Sequence, residues 1–170
     1  MITGLLIRQM EAGDVPDIHE SLDRNGIPKP MAYIARCWEE NKTGKRVTLA
    51  AFVNGGFAGW LHLLAKSYYP DFAEKGIPEI NNFDVIPPMR RRGIGSALMD
   101  AAEKIAFETY GIVGIGVGLY ASYGSAQRIY ARRGYIPDGR GITYNNEVVE
   151  PGSTVRVDDE LVLYMTKNPG

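Results

Sequence analysis

Hydrophobic and polar positions along the chain follow two different periods. Short runs rich in branched and aromatic residues indicate strands, whereas apolar residues spaced by three and four indicate helices. Residues 54–56 read Asn-Gly-Gly between two apolar runs, which predicts a hairpin turn. The clearest helical stripe steps by four, three and four, through Ile94, Leu98, Ala101 and Ile105.

This pattern divides the chain into strands, helices and one long loop. We predict strands at 5–8, 47–53, 57–64, 79–86, 112–119, 142–149 and 155–166. We predict a helix that begins at Asp14, further helices at 31–40, 93–109 and 125–133, and a loop at 65–78. The order indicates a mixed α/β domain without the steady alternation of a doubly wound fold. Because no linker or repeat interrupts the 170 residues, we expect a single domain over 1–170.

Composition and charge narrow the function classes. The formal net charge is −1, so the chain lacks the positive field that nucleic-acid binding requires, and no apolar run reaches membrane-spanning length. Cys37 is the single cysteine, and His19 and His62 lie far apart in sequence, so we predict neither an internal disulfide nor a metal site. We therefore expect a soluble, cytoplasmic protein that binds neither nucleic acid nor a membrane.

One segment has the pattern of an anion-binding loop. Arg90–Gly95 reads Arg-Arg-Arg-Gly-Ile-Gly and connects a predicted strand to a predicted helix. A helix N-terminus offers unpaired N–H groups, glycines allow close backbone approach, and arginines neutralise phosphate charge. Ser96 adds a hydroxyl at the same place. On these residues alone, a solvated basic turn that caps the helix is the alternative.

Two longer motifs resemble those of one enzyme family. Val85-x-Pro87-x-x-Arg90-x-x-Gly93-x-Gly95 resembles the acyl-CoA motif of the GNAT superfamily of N-acyltransferases, written Arg/Gln-x-x-Gly-x-Gly/Ala. Residues 126–135 (AQRIYARRGY) are similar to its second motif, Ala-x-x-Leu-Tyr-x-x-x-Gly-Phe/Tyr. The opening Ile7-Arg8, followed by Asp14 at a helix start, matches the family's usual beginning.

The resemblance implies a fold, an activity and an acyl donor. It implies an α/β (α+β) domain with a mixed, mostly antiparallel central sheet of about six to seven strands and about four flanking helices. It also implies an N-acetyltransferase that moves an acetyl group from acetyl-CoA to a primary amine by direct attack. A small molecule is favoured over a protein as acceptor, and a homodimer is left open. Coenzyme A would be bound by Val85, Arg90, Arg91, Arg92, Gly93, Ile94, Gly95, Ser96 and Ser125.

The alternative function is a non-catalytic acyl-CoA-binding or sensing module on the same fold. Such a module would keep Arg90–Gly95 and dispense with catalytic side chains. The resemblance implies Tyr130 as the acid that protonates the leaving thiolate, whereas the pattern alone makes it a core aromatic in helical register with Ala126. The presence of both Tyr130 and Glu79 favours the enzyme.

Glu79 is the candidate base. It lies eleven positions before Arg90, as does a glutamate in the histone-acetyltransferase branch of the family, and it could take a proton directly or through water. A surface position at a strand end is the equal alternative. Strand alternation places Asp84, the second candidate, on the face opposite Phe83 and Val85. The resemblance implies that a backbone N–H group near these two residues holds the oxyanion.

The acceptor pocket is expected in the parts of the chain that vary within the family. Residues 25–31 and Trp38 are candidates, together with the loop side chains Tyr68, Tyr69, Asp71 and Phe72. Aromatic and acidic side chains suit a cationic amine, although each could instead belong to a packed loop with solvated charges.

Two further features qualify these predictions. Tyr123 stands where many family members carry an asparagine that contacts the cofactor, and Ser125 is a weak substitute for it. Gly116-x-Gly118-x-x-Ala121 matches a dinucleotide-binding fingerprint. Its glycines lie inside a predicted strand instead of joining a strand to a helix, so we do not expect a nucleotide there.

Overall fold

The computed structural model describes residues 2–170, which form eight strands and five α-helices. The strands are β1 (Leu5–Gln9), β2 (Arg46–Val53), β3 (Gly56–Leu64), β4 (Glu79–Val85), β5 (Val113–Gly118), β6 (Ile136–Tyr144), β7 (Glu147–Val148) and β8 (Leu161–Lys167). The helices are α1 (Val15–Arg24), α2 (Met31–Thr43), α3 (Pro70–Lys75), α4 (Ile94–Tyr110) and α5 (Gly124–Arg132). The mixed α/β class is confirmed, with one strand and one helix more than expected.

The additional helix is α3, which lies in the predicted loop at 65–78. Pro70 occupies its first turn, where a missing N–H costs nothing, and left-handed Gly76 (φ 67°) ends it. The helix has only six residues, which is too short to show a hydrophobic stripe in the sequence.

The additional strand results from a hairpin near the C-terminus. The single strand predicted at 142–149 is wrong, because residues 145–146, both asparagines, adopt left-handed angles (φ 49° and 66°) and turn β6 into β7. The last strand begins at Leu161 instead of residue 155.

Residues up to 65 and Ile80–Ile105 form the first of two compact units. Its strands follow the order β1-β2-β3-β4, and β2 pairs antiparallel with both β1 and β3. Helices α1 and α2 pack their apolar stripes against β2 and β3 around Trp60, which is fully buried. Gly59 on β3 allows β4 to approach closely, since a Cβ there would lie 2.6 Å from the carbonyl oxygen of Asp84.

Lys66–Glu79 and Ala106–Gly170 form the second unit. Its strands follow the order β5-β8-β6-β7, and all neighbours are antiparallel. A Cβ on Gly116 would lie 2.8 Å from Val162, and one on Gly118 would lie 2.3 Å from the ring of Tyr123. The glycines that resemble a dinucleotide fingerprint therefore make room for neighbouring side chains.

Within residues 2–170, no helix is both long and apolar enough to cross a membrane. The same part of the chain contains no group of three His, Cys, Asp or Glu side chains that could hold a metal ion. His62 is fully buried on β3, and burial lowers the pKa of its imidazole well below the usual value, so this side chain is neutral.

Candidate active site

The segment between β4 and α4 reverses direction before the helix begins. Arg91 and Gly93 both have left-handed backbone angles (φ 60° and 84°), a region that glycine tolerates and arginine rarely adopts. Ile94 is only 1% exposed and anchors the start of α4, whereas the four preceding residues are exposed. The first backbone N–H groups of α4 therefore follow an exposed turn.

Three arginines precede this helix start, and no carboxylate in residues 2–170 forms an ion pair with them. Arg90 Nε donates to the carbonyl oxygen of Val85 at 2.9 Å, and Arg92 Nη1 lies 3.0 Å from Met89 Sδ. Among residues 2–170, neither these two nor Arg91 forms an ion pair. Their charge adds to the partial positive charge of the helix N-terminus, so the segment suits an anion such as phosphate.

The other predicted donor-binding residues of the first unit lie in the same segment. Gly95 packs α4 against β4, since a Cβ there would lie 3.0 Å from Phe83 Cζ and 3.9 Å from Val85 Cγ2. Ser96 is exposed in the first turn of α4. The structure thus brings together the predicted donor-binding residues of the first unit.

Ser125 lies in the first turn of α5 in the second unit and is exposed. Before it, the ring of Tyr123 covers Gly118, and its hydroxyl donates to Asp159 Oδ1 at 2.8 Å. The Tyr120 hydroxyl donates to the same oxygen, and together the two phenols lower the pKa of the Asp159 carboxyl. Tyr123 is therefore engaged with Asp159 and offers no equivalent of an asparagine amide.

Tyr130 is buried in α5, with 8% of its surface exposed. Its ring lies 5.9 Å from that of Tyr135. No group in residues 2–170 forms a hydrogen bond with its hydroxyl. Burial raises the pKa of Tyr130 to about 12, so the phenol is protonated at neutral pH. A buried, protonated phenol without a partner can donate to a ligand.

Glu79 is also buried, with 5% exposure, so the alternative of a surface position at a strand end is wrong. Ser67 Oγ donates to Glu79 Oε1 at 2.5 Å and accepts from the backbone N–H of Tyr69 at 3.0 Å. This chain of two hydrogen bonds orients the Ser67 hydroxyl proton toward the carboxylate. No sequence pattern indicated Ser67, because a serine in a loop is compatible with many roles.

Asp84 and its two neighbours in β4 lie on opposite faces of the strand. Phe83 and Val85 contact the start of α4, whereas Asp84 lies on the opposite face, as strand alternation predicts. Trp60 Nε1 donates to Asp84 Oδ2 at 3.0 Å, and Lys29 Nζ lies 3.8 Å from the same oxygen. Asp84 therefore lies between a strand of the core and the connection from α1 to α2.

Asn82 interrupts the regular conformation of β4 with a left-handed angle (φ 52°). Its side-chain amide donates to the hydroxyl of Tyr33 on α2, and Arg46 Nη1 donates to that hydroxyl at 3.3 Å. Burial raises the pKa of Tyr33, which keeps the phenol neutral. Arg46 is neutralised in turn by Glu40, at 2.7 Å. These contacts fix β4 to α2.

The acceptor candidates in the second unit are mostly packing residues. Tyr69 is 2% exposed and Phe72 is fully buried, where its ring fills the space beside Gly114. Asp71 forms an ion pair with Lys75 at 3.0 Å. Tyr68, with 65% exposure, is the aromatic side chain of this set that remains accessible.

In the first unit, Asn25 of the acceptor candidates lines an open groove. It has a volume of about 450 Å³ and lies between α1, the β2–β3 turn and the residues that follow β4. Its walls include Asp17, Glu20, Asn25 and Met89. Trp38, by contrast, packs against the core of this unit.

Comparisons with known proteins agree with this geometry. The model of the acetyltransferase (GNAT) family matches residues 14–135. An N-acetyltransferase from Staphylococcus aureus Mu50 is 16% identical, with a TM-score of 0.71 over 98% of this chain and 99% of that one. The protein yncA from Salmonella typhimurium, solved with acetyl-CoA, is 14% identical, with a TM-score of 0.69 over 98% and 94%. Spermidine/spermine N-acetyltransferase SpeG from Vibrio cholerae is 14% identical, with a TM-score of 0.67 over 98% and 93%.

At these identities the structural matches show a shared fold. No curated protein matched the chain by sequence. The family match is independent of the structural matches, and it includes both the Arg90–Gly95 turn and Tyr130. The predicted fold and the predicted class of enzyme, an acyltransferase, are confirmed. The chain belongs to the GNAT family of acetyltransferases.

Proposed function

We propose that this protein transfers an acetyl group from acetyl-CoA to a primary amine of a small molecule, and that residues 1–170 form one catalytic domain. The observation that carries the proposal is the exposed turn before α4 in a chain of the acetyltransferase family, where three arginines have no carboxylate partner among the described residues 2–170. The acetyl-CoA present in the structure of yncA supports the same donor here.

Acetyl-CoA supplies a thioester, whose C–S bond breaks as the amine nitrogen forms a C–N bond. We assign the pyrophosphate to the backbone N–H groups of Gly93–Gly95 and the Ser96 hydroxyl, with the three arginines neutralising phosphate charge. The left-handed turn at Gly93 fits this anion, as do the three arginines, which form no ion pair within the part of the chain that the structure describes. A backbone N–H group within Phe83–Val85 is assigned to the carbonyl oxygen, and Ser125 to a weaker coenzyme A contact.

Two side chains are assigned to proton transfer. Glu79 takes one proton from the protonated acceptor, directly or through water, which leaves a neutral amine able to attack. The nitrogen loses a second proton as the amide forms, and Tyr130 gives a proton to the leaving sulfur. After Tyr130 regains its proton, one proton has moved to coenzyme A and one to solvent. The pKa of Tyr130, raised to about 12, keeps this acid protonated until it is needed.

The first test is turnover. We expect purified protein and acetyl-CoA to release free thiol faster when a suitable amine is added, measured against a panel of amino acids, polyamines, aminoglycosides and peptides with a free N-terminus. The acceptors of other family members do not decide the choice, since SpeG is named for spermidine and spermine and an Escherichia coli relative for the alanine of ribosomal protein S18. Tight coenzyme A binding without acceleration by any amine would support the alternative, a binding or sensing module.

A second test concerns the orientation of Glu79. Ser67→Ala removes the hydrogen bond to the Glu79 carboxylate, so we expect kcat to fall by about tenfold while KM for acetyl-CoA stays unchanged. Ser67→Thr keeps the hydroxyl and should restore most of the activity. Ser153→Ala, at an exposed position of the same unit, is the matched control. Equal kcat in Ser67→Ala and the control would remove Ser67 from the mechanism.

A further inference from the structure

We infer that the acceptor is a zwitterion of the α-amino acid class, whose carboxylate binds Lys29 and whose amine binds Asp84. The inference rests on the proposed function and names its substrate class. It draws on one surface of the first unit, where the α1–α2 connection meets the face of β4 that carries Asp84. Lys29 and Asp84 lie on this surface and are called the Lys29–Asp84 pair below. Asn82 lies beside the pair.

Lys29 is held in place before any ligand binds. It lies between Pro28 and Pro30, and the second proline caps the N-terminus of α2 with extended backbone angles (φ −56°, ψ 138°). Proline fixes its own φ and restricts the residue before it, so Lys29 has few backbone conformations. A preset cation loses less conformational entropy when it binds a ligand than one in a flexible loop.

The hydrogen-bonding capacity of Lys29 is largely unused. Its ammonium lies 3.8 Å from Asp84 Oδ2 and 3.4 Å from Asn82 Oδ1. A charge-assisted N–H···O bond has a length of about 2.7–2.9 Å, so neither contact is a strong hydrogen bond. The side chain is only 23% exposed, which limits the water available to it. An ammonium that is partly desolvated and poorly hydrogen-bonded is suited to a ligand carboxylate.

Asp84 provides the opposite charge at the adjacent position. The Trp60 indole fixes one of its oxygens through a hydrogen bond of 3.0 Å, and the side chain is 20% exposed. Asp84 is also part of the strand segment, Phe83–Val85, whose backbone is assigned to the acetyl carbonyl oxygen. An amine held by the Asp84 carboxylate would therefore lie beside the strand segment that is assigned to the acetyl carbonyl oxygen.

The arrangement selects by charge. An α-amino acid carries an ammonium and a carboxylate on one carbon, so its two charges can alternate with those of the Lys29–Asp84 pair. A polyamine has no carboxylate and brings a second cation toward Lys29, which costs energy in a partly buried site. A peptide N-terminus has a neutral amide where the amino acid has its carboxylate, so it forfeits the Lys29 contact.

The experiment compares matched acceptors that differ only in the carboxylate. Amino acids representing each side-chain class and their primary amides are tested with acetyl-CoA, together with spermidine and an alanine-terminated peptide. For the preferred side chain, we expect kcat/KM of the free acid to exceed that of the amide by about tenfold to a hundredfold. The amine of the amide is less basic, so a larger fraction of it is neutral and able to attack, which by itself favours the amide. A higher kcat/KM for the free acid would therefore report binding of its carboxylate.

Variants then test whether the Lys29–Asp84 pair causes the preference for the free acid. Lys29→Met should lower kcat/KM of the free acid to about the level of the amide, mainly through KM, and leave the amide within about twofold. Asp84→Asn, which keeps an acceptor for the Trp60 indole, should raise KM for both compounds. Lys45→Met is the matched control, since this exposed lysine forms no ion pair within residues 2–170 and belongs to the same unit.

Two results would overturn the inference while the proposed function stands. One is faster turnover of spermidine, the peptide or the amides than of every free amino acid. The other is an equal loss on acid and amide in folded Lys29→Met, which would make the pair a structural link between the α1–α2 connection and β4. Failure of the proposed function looks different, because no amine of any class would then increase thiol release.

Discussion

Gly93→Val is expected to raise the dissociation constant of acetyl-CoA by about tenfold to a hundredfold, measured by calorimetry. Gly93 has a φ of 84°, and a Cβ at this position would meet no atom within 4 Å. The penalty is therefore one of backbone conformation, which for a branched residue at positive φ is about 1–3 kcal/mol. The turn can relieve this strain only by moving the N–H groups that precede and begin α4, and these are the groups assigned to the pyrophosphate.

The matched control is Gly152→Val. Gly152 has nearly the same angle (φ 86°) and the same open surroundings, but it lies in a turn of the second unit. Both variants should lose similar free energy of unfolding, and only Gly93→Val should lose affinity for acetyl-CoA. Unaltered calorimetric binding by folded Gly93→Val would show that the turn before α4 does not hold the phosphates.

The features that the sequence predicted well depend on neighbouring residues alone. The Arg90–Gly95 turn and the helix after it follow from glycine conformation, helix capping and an apolar stripe, each of which needs only a few consecutive positions. The hairpin at residues 54–56 has the same local origin, and β2 and β3 pair across it. The Arg90–Gly95 turn also carries part of the family resemblance, which explains why the fold and the class of enzyme could be predicted together.

The features that the sequence could not predict depend on distant residues. Tyr69 and Phe72 were candidates for an acceptor pocket, yet they are buried, because Gly114 of β5 leaves space for the ring of Phe72 and the ring of Tyr69 stacks on that of Tyr164. Ser67 gave no signal, since its contact with Glu79, twelve positions away, exists only in the folded chain. The Lys29–Asp84 pair likewise joins residues 55 positions apart, which no local pattern indicates.

Tyr130→Phe is expected to lower kcat by about a hundredfold and to leave the affinity for coenzyme A unchanged, since this is the lower end of what general acid catalysis typically contributes. The Tyr130 hydroxyl has no hydrogen-bond partner within residues 2–170, so its removal leaves no protein group unsatisfied. The free energy of unfolding should therefore stay within about 0.5 kcal/mol of the original protein. A loss of turnover without a loss of stability would separate a catalytic role from that of a core aromatic.

The control for this substitution is Tyr164→Phe in the same unit. The Tyr164 hydroxyl donates to Asn146 Oδ1 at 2.7 Å, so its removal leaves an unpaired acceptor and should reduce stability more than kcat.

The pH profile of turnover adds a second criterion for Tyr130. Because the pKa of Tyr130 is raised to about 12, it remains protonated across the neutral range, and the acid function should not decline between about pH 7 and pH 10. Full turnover by Tyr130→Phe on the preferred amine would mean that the thiolate obtains its proton elsewhere, and Tyr130 would then be a packing residue of α5.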